Sequence, residues 1–508
     1  MKLIDKAPYT LISILLLLVW SQIANGQILG PNKVKASFLV SSEFKSRHNT
    51  NLDTVNLFEF AYDDNGKAAY AFRTKLNSSD SETLIPINGF DYRAIKPIDN
   101  QSYWVYSRMK SGLYLYYFGL NAEQIKRRSD FLRKYSATTH EFARKSKLDP
   151  IVNAYVNGLL AKVALAHIDN VSQIHLNAIV IDNVIPNAAA YPDGTILVTT
   201  GLISIMNNEQ ELTAVLAHEV AHVLMEHYFI TDEKISENNY KIVLDDMIRR
   251  LNDLTLSPYL SRFQLLQLYR ELFKYSYSTI ENSISRKHEF QADKLSYEYF
   301  QWKNSDGNPT VSALRTLMKY DAVSTPYFYD VNQDPNGTHP DINKRLASLN
   351  AKSDTKSDTK SDTLISQYAF WTVSTMRKTA VSAFTDSSQG LNSYSIALDI
   401  QRRVFEYSKR IEDLSLLVEM LVKSNGNKAE IEMLMAEFDH LKNQNHSAYY
   451  ISRTKAIALV FLGDYLNAKQ HLTKYKALLE MGLSAEYRNY PFIKGIQEEK
   501  NWVNEYLK

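Results

Sequence analysis

His218-Glu219-Val220-Ala221-His222 places two imidazoles and a carboxylate within one short stretch. Four residues make about one helical turn, so on a helix His218 and His222 project from one face and can grip the same metal ion. Glu219 lies one position on from His218, too offset to be a third ligand but able to reach a water that the metal holds. The chemistry this suggests is metal-assisted hydrolysis with Glu219 as general base. Taken alone, the pentapeptide also fits an ordinary helix whose histidines are surface or satisfied core residues.

A catalytic zinc needs a third protein ligand and keeps one position for water. The chain has no cysteine, so that ligand must be His, Asp or Glu. A long metzincin motif would need a glycine and a further histidine where Met225 and Tyr228 stand, so that pattern fails. The other source is a glutamate on a later helix. Ser285–Asp293 (SRKHEFQAD) offers Glu289, with Asp293 one turn on and on the same side. Glu289 by itself would read as a solvated helix carboxylate. Paired with Asp293 and an intact His-Glu-x-x-His, it reads as the third ligand of one Zn²⁺ per chain. Asp293 would then accept a hydrogen bond from a ligand imidazole's other nitrogen and fix its tautomer. His227, just over a turn beyond His222, reads as a structural neighbour of the site.

These residues need elements to hold them. The pentapeptide sits in an amphipathic run, Glu211–His227, within a helical stretch expected over Glu209–Ile230. Short strands are expected before it at Ile174–Ile181, Asn187–Tyr191 and Thr195–Thr200, the last two flanking Pro192-Asp193-Gly194. Further upstream, Asn121–Lys147 is polar and helical, and Asp149-Pro150 opens a helix running to about His167. From Val34 to Gly119 the pattern is strand-like and rich in tyrosine. Val55–Tyr62 and Lys67–Lys75 flank a turn at Asp63-Asp64-Asn65-Gly66, and Tyr103–Met109 and Leu113–Phe118 read as a second hairpin. After the site, about 234–301 reads as helices with charged faces.

The ends carry different information. Lys2 and Lys6, an apolar run Leu11–Trp20, and small residues at Ala24 and Gly26 fit a secretory signal cut after Gly26. A retained anchor is the alternative, but so short a run spans only about half the hydrocarbon core. No other stretch is long and apolar enough, so the mature chain is expected to lack a transmembrane anchor and to be periplasmic or secreted. Three tandem Lys-Ser-Asp-Thr copies at Lys352–Thr363 contain no apolar residue and read as a linker. Beyond it the chain reads all-helical. Arg453–Leu478 has the cadence of a tetratricopeptide repeat, with a turn at Gly463-Asp464-Tyr465 and small residues at Ala456 and Ala468. An unrelated helical bundle is the alternative. The expected plan for the 508 residues is signal 1–26, β-rich region 27–120, metal-binding domain 121–350, linker 351–366 and helical domain 367–508. A net charge of +2 leaves no electrostatic footprint for nucleic acid. The missing cysteines exclude disulfides, thiol nucleophiles and iron–sulfur clusters.

Several of these segments together resemble the zinc metallopeptidases typified by HtpX, BepA and the CAAX prenyl endopeptidase (metallopeptidase family forty-eight). Asn187-Ala188, Pro192-Asp193-Gly194 and Val198–Leu202 are similar to that family's strand-and-turn segment. Glu211–His227 is similar to its active-site helix. Ser285-Arg286, Glu289 and Ala292-Asp293 are similar to its third-ligand helix, and Thr338-His339-Pro340 with Arg345 to its closing motif. The resemblance covers about Ser129–Leu349. It implies an α+β, zincin-type (gluzincin) domain that hydrolyses peptide bonds in proteins. It also implies substrate binding beside Asn187 and Ala188, where Asn187–Tyr191 would be an edge strand that a peptide extends. His339 and Arg345 are the candidate donors to the oxyanion, and His339 could instead cap the metal and keep the enzyme latent. Membrane members carry long apolar helices where this chain has the charged stretch Tyr228–Ile284, so the layout looks more like soluble envelope members such as BepA. The implied role is protein quality control in a bacterial envelope, the tail docking substrates or an assembly complex. Two other readings stand beside it: a non-enzymatic repeat adaptor or chaperone with a vestigial metal domain, and a secreted virulence-type or digestive protease.

Overall fold

The protein is described here by a computed structural model covering residues 36–507 apart from 50, 63–67, 76–81, 88–90, 114–121, 146–149, 168–173, 183–185, 229–285, 306, 329–341, 350–376, 379–380, 382–393, 442–447 and 483–492. The expected signal, the Asp63–Gly66 turn, the charged stretch beyond Tyr228, His339 and the Lys-Ser-Asp-Thr linker lie outside the described residues. The chain forms two compact units. One comprises Met1–Met318 with Asp334–Leu364, and the other Lys319–Gln333 with Ile365–Lys508.

The first unit begins with β1 (Ala36–Val40), α1 (Ser42–Arg47), β2 (Thr54–Tyr62), β3 (Ala68–Lys75), β4 (Glu82–Ile87), α2 (Asp91–Ala94), β5 (Ile95–Pro97) and α3 (Asn100–Lys110). The strands form an antiparallel sheet in the order β4-β3-β2-β1-β5. The first expected hairpin is the β2–β3 pair, in register from Asn56↔Arg73 to Tyr62↔Ala68 with a bulge between Leu57 and Glu59. In β1, Ala36 and Phe38 are buried while Leu39 faces outward, the period-two pattern of a strand with one covered face.

The second expected hairpin is corrected by the structure: Tyr103–Met109 is α3, a helix. Asp99 caps it, its carboxylate accepting from Ser102 N at 2.7 Å. Tyr103, Trp104, Ser107 and Arg108 are buried at helical spacing. The aromatic residues that favour strands locally are used here for tertiary packing, which overrides local preference. Trp104 donates Nε1–H to Val163 O at 3.0 Å and stacks on Tyr299, and Tyr103 donates its hydroxyl to Leu295 O at 2.8 Å. Trp302 in turn donates to Pro97 O at 3.1 Å. This aromatic cluster binds the N-terminal segment to the helix that carries Glu289.

Next come α4 (Ala122–Lys145), α5 (Pro150–Val163), β6 (Asn177–Ile181), β7 (Ala188–Ala190), β8 (Thr195–Thr199) and α6 (Thr200–Ile205). The three strands form a second sheet, β6-β8-β7, with β6 parallel and β7 antiparallel to the fully buried β8. One edge is closed by α5: Asn157 exchanges hydrogen bonds with both backbone groups of Ala178, and Asn153 accepts from Val180 N. The turn into β8 requires glycine. Gly194 has φ +99°, and a Cβ there would stand 2.4 Å from His175 O.

The unit is completed by α7 (Glu209–Leu224), α8 (Arg286–Trp302), α9 (Pro309–Phe328, which ends in the other unit) and α10 (Ile342–Ser348). Asn208 caps α7 by accepting from Glu211 N at 2.9 Å. Buried Glu211 reaches back to Asn207 N at 2.8 Å and accepts from Ser312 and Thr316. Together these bonds fix where α7 starts. Ser296 Oγ donates to Ala214 O at 3.0 Å, and Ala292 is fully buried, so α7 and α8 approach closely.

The second unit carries α11 (Tyr394–Ser408), α12 (Ile411–Lys423), α13 (Lys428–His440), α14 (Ala448–Leu462), α15 (Tyr465–Gly482) and α16 (Ile493–Leu507). Gly463, at φ +88°, turns α14 into α15, and Ala456 and Ala468 are both buried. Leu472, Tyr475, Leu479 and Val503 complete a local core with Ala456. Among the described residues, no helix of the chain is long and apolar enough to cross a membrane.

Candidate metal centre

The α7 helix presents His218 and His222 on one face, and α8 brings Glu289 to them. The two Nε2 atoms are 3.1 Å apart. Glu289 Oε1 lies 3.2 Å from His222 Nε2, and Oε2 lies 3.6 Å from His218 Nε2. All three side chains are buried and could together hold one metal ion. Two nitrogens bonded to one tetrahedral zinc stand about 3.3 Å apart, so this separation and this nitrogen-and-oxygen donor set fit zinc. Among the described residues it is the one cluster of this kind.

A second layer sets the orientation of these groups. Asp293 Oδ1 is 2.9 Å from His218 Nδ1, the nitrogen facing away from the cluster. Arg345 from α10 grips the same carboxylate with two hydrogen bonds, Nη2 to Oδ1 at 2.6 Å and Nε to Oδ2 at 2.7 Å. Its Nη1 stands 3.6 Å from Glu289 Oε2. Burial works against ionising Asp293, but Arg345 and His218 outweigh it and hold its carboxyl down at about 2. Burial likewise opposes charge on Arg345, and Asp293, Glu289 and Glu219 overcome that and raise its pKa. For His218, burial lowers the pKa, yet Asp293 and Glu289 drive it up to about 10.

Glu219 is buried beside His218. His227 Nδ1 lies 3.0 Å from His222 Nδ1, and its Nε2 lies 3.3 Å from Gln291 Oε1. Its ring stacks on His288, with centroids 4.3 Å apart. Burial, with the neighbouring His222 and His288, holds His227 well below the usual histidine range, so it is neutral. Asn187 and Ala188 lead into β7, an edge of the second sheet that packs against α7. Asn187 N donates to Thr199 Oγ1 at 2.8 Å, and Ala188 pairs with Val198.

Comparison with known proteins agrees with this geometry. The model of the family described as Peptidase family M48 matches residues 150–353. The segment is a peptidase family M48 domain, and the chain is a metalloendopeptidase. It is 28% identical over 190 residues to the metalloprotease YcaL of Escherichia coli (strain K12), covering 37% of this chain and 69% of that protein. The matched stretch spans α5 to α10 and so includes His218, His222 and Glu289, which could hold a metal ion, with Asp293 and Arg345. Helices α3 and α4 precede the M48 match, yet Arg108 and Arg128 from them reach Glu226, just past the C-cap of α7. These arginines, Glu226, Gln291 and His288 were not singled out from the sequence. Gln291 and His288 stand inside the SRKHEFQAD segment, beside Glu289 and Asp293, which was the one available signal.

Proposed function

We propose that the chain is a zinc-dependent endopeptidase that binds one Zn²⁺ through His218, His222 and Glu289 and acts on envelope or secreted proteins in quality control. The observation that supports this best is the convergence of two imidazole nitrogens and one carboxylate, all buried, within 4.8 Å of one another. Bound zinc supplies positive charge that acidifies water and polarises a scissile carbonyl. Glu219, next to His218 in sequence and buried with it, takes the proton of the attacking water on its carboxylate. It returns that proton to the departing amine nitrogen. Asp293 keeps His218 protonated at Nδ1 and therefore bare at Nε2, the nitrogen that faces the cluster.

In this reading Arg345 is a positioning residue, since both ends of its guanidinium face the carboxylates of Asp293 and Glu289 rather than an incoming carbonyl. That leaves His339 as the candidate donor to the oxyanion or as a latency ligand. A substrate peptide adds to β7 beside Asn187 and Ala188, with main-chain hydrogen bonds supplying most of the affinity. The domain is zincin-type, the exported chain works in the periplasm or outside the cell, and the helical unit is repeat-like and docks substrates or an assembly complex. The test is metal content together with casein hydrolysis, with and without a chelator. One zinc per chain and chelator-sensitive cleavage are expected. A metal-free chain that cleaves equally well would overturn the proposal, and a metal-bound chain with no cleavage would favour the adaptor reading.

A further inference from the structure

His227 stands five residues after His222. On an unbroken helix it would lie about 140° around the axis from His222, too far to touch it. The contact exists because the helix ends between them. Met225 N still bonds Ala221 O, but Glu226 takes φ +48°, the left-handed conformation that a non-glycine residue adopts infrequently. The chain then folds back, and His227 Nδ1 comes to 3.0 Å from His222 Nδ1.

Glu226 is held in that conformation by a buried clamp. Arg128 of α4 donates to both carboxylate oxygens, Nη2 to Oε1 at 2.6 Å and Nε to Oε2 at 2.8 Å. Arg108 of α3 places Nη2 at 3.6 Å from Oε1. Both arginines come from helices that precede the stretch matched by the family model.

Metal binding by His222 would give the hydrogen bonds beyond the clamp a single direction. A His222 that offers Nε2 to a metal must carry its proton on Nδ1, and that N–H needs an acceptor. His227 Nδ1 accepts only if His227 carries its own proton on Nε2. Gln291 closes the chain by presenting Oε1 at 3.3 Å to that N–H, and the His288 ring stacked on His227 holds its plane. The reverse polarity would put the proton on His222 Nε2 and block the site.

We propose that His227 is a positioning residue that fixes His222 in its metal-binding tautomer, and that the Arg108–Glu226–Arg128 clamp holds it in place. The inference rests on the reading of His222 as a ligand. It makes α3 and α4 part of the metal site, so the segment before the family match is not a dispensable leader to it.

Zinc affinity, read by competition with a chromophoric chelator on the full chain, tests this without recourse to activity. His227→Leu is expected to weaken zinc binding about 10- to 100-fold, the usual effect of losing a ligand's orienting partner. His227→Asn, whose Oδ1 can accept where Nδ1 did, is expected to recover most of that loss. His227→Gln, whose oxygen reaches further along, is not. Arg128→Met is expected to weaken zinc binding in the same direction as His227→Leu, with circular dichroism confirming the fold of each variant. The proposal is overturned if His227→Leu binds zinc within about twofold of the parent, or, should that variant not fold, if the Asn and Gln variants bind alike. His222→Ala is the control for the underlying reading: undiminished zinc binding there removes the ligand assignment itself, whereas lost binding with a silent His227→Leu removes only the positioning role.

Discussion

Asp293 Oδ1 lies 2.9 Å from His218 Nδ1 while Arg345 holds both oxygens of the same carboxylate, so one side chain joins a candidate ligand on α7 to the closing helix α10. Replacing it by asparagine keeps the size but removes the charge. Asp293→Asn would leave the buried Arg345 guanidinium without the carboxylate it holds by two hydrogen bonds, with only Glu289 at 3.6 Å, which costs about 3–5 kcal/mol. Zinc affinity is expected to fall about 10- to 100-fold as His218 loses the negative charge of its orienting acceptor. Denaturant unfolding of the metal-free protein and chelator competition read the two effects separately. An Asn variant as stable and as zinc-avid as the parent contradicts both roles.

Acid should weaken the metal-free fold through the same residue. The Asp293 carboxyl is held at about 2 against an ordinary 3.8, so its ionised form stabilises the fold. That contribution, about 2 kcal/mol, is full above about pH 4 and is lost as the pH falls towards 2. Urea midpoints between pH 5 and 2 should show this loss, and Asp293→Asn should flatten it.

Zinc uptake should release a proton. In the metal-free protein His218 is raised to about 10 from 6.5, so it is protonated at neutral pH and must lose a proton to ligate. Apparent zinc affinity should therefore rise about tenfold per pH unit until the pH nears that of His218. The sign for stability is the opposite: the bound proton stabilises the metal-free fold fully below about 6.5, and this is lost as the pH rises through about 10. Calorimetry in buffers of different ionisation heat counts the protons. No release at neutral pH would contradict the assignment.

Glu219→Gln should abolish peptide hydrolysis, by about 100-fold or more, and leave zinc bound, because the amide cannot take the proton. Full peptidase activity in this variant, with metal content verified, would falsify the general-base role.

Gly194→Ala tests the turn that sets β8. A Cβ would meet His175 O at 2.4 Å in a residue with φ +99°, so about 2 kcal/mol or more of stability should be lost. A melting temperature unchanged from the parent would show that the turn adapts.

Much of the site was legible because its rules are local. The i, i+4 spacing of His218 and His222 and the same spacing of Glu289 and Asp293 each put two side chains on one helical face, whatever surrounds them. The Pro192-Asp193-Gly194 turn between two short strands was legible for the same reason. The reading of Tyr103–Met109 as a strand failed because its aromatic residues meet partners such as Tyr299 and Leu295, far along the chain. Arg345 was matched by motif position, but its hold on Asp293 arises from the packing of α10 against α8.

By itself the sequence determined which groups were available: no thiols, two histidines one turn apart, and a glutamate–aspartate pair to serve them. Only the tertiary structure decided how these groups share protons and charge. It set α8 against α7, turned Arg345 towards two carboxylates, and ended the active helix at a left-handed Glu226 clamped by Arg128. The physical reason is reach. Helical periodicity fixes neighbours within one element, whereas the direction of a hydrogen-bond chain depends on donors and acceptors that packing brings from distant segments.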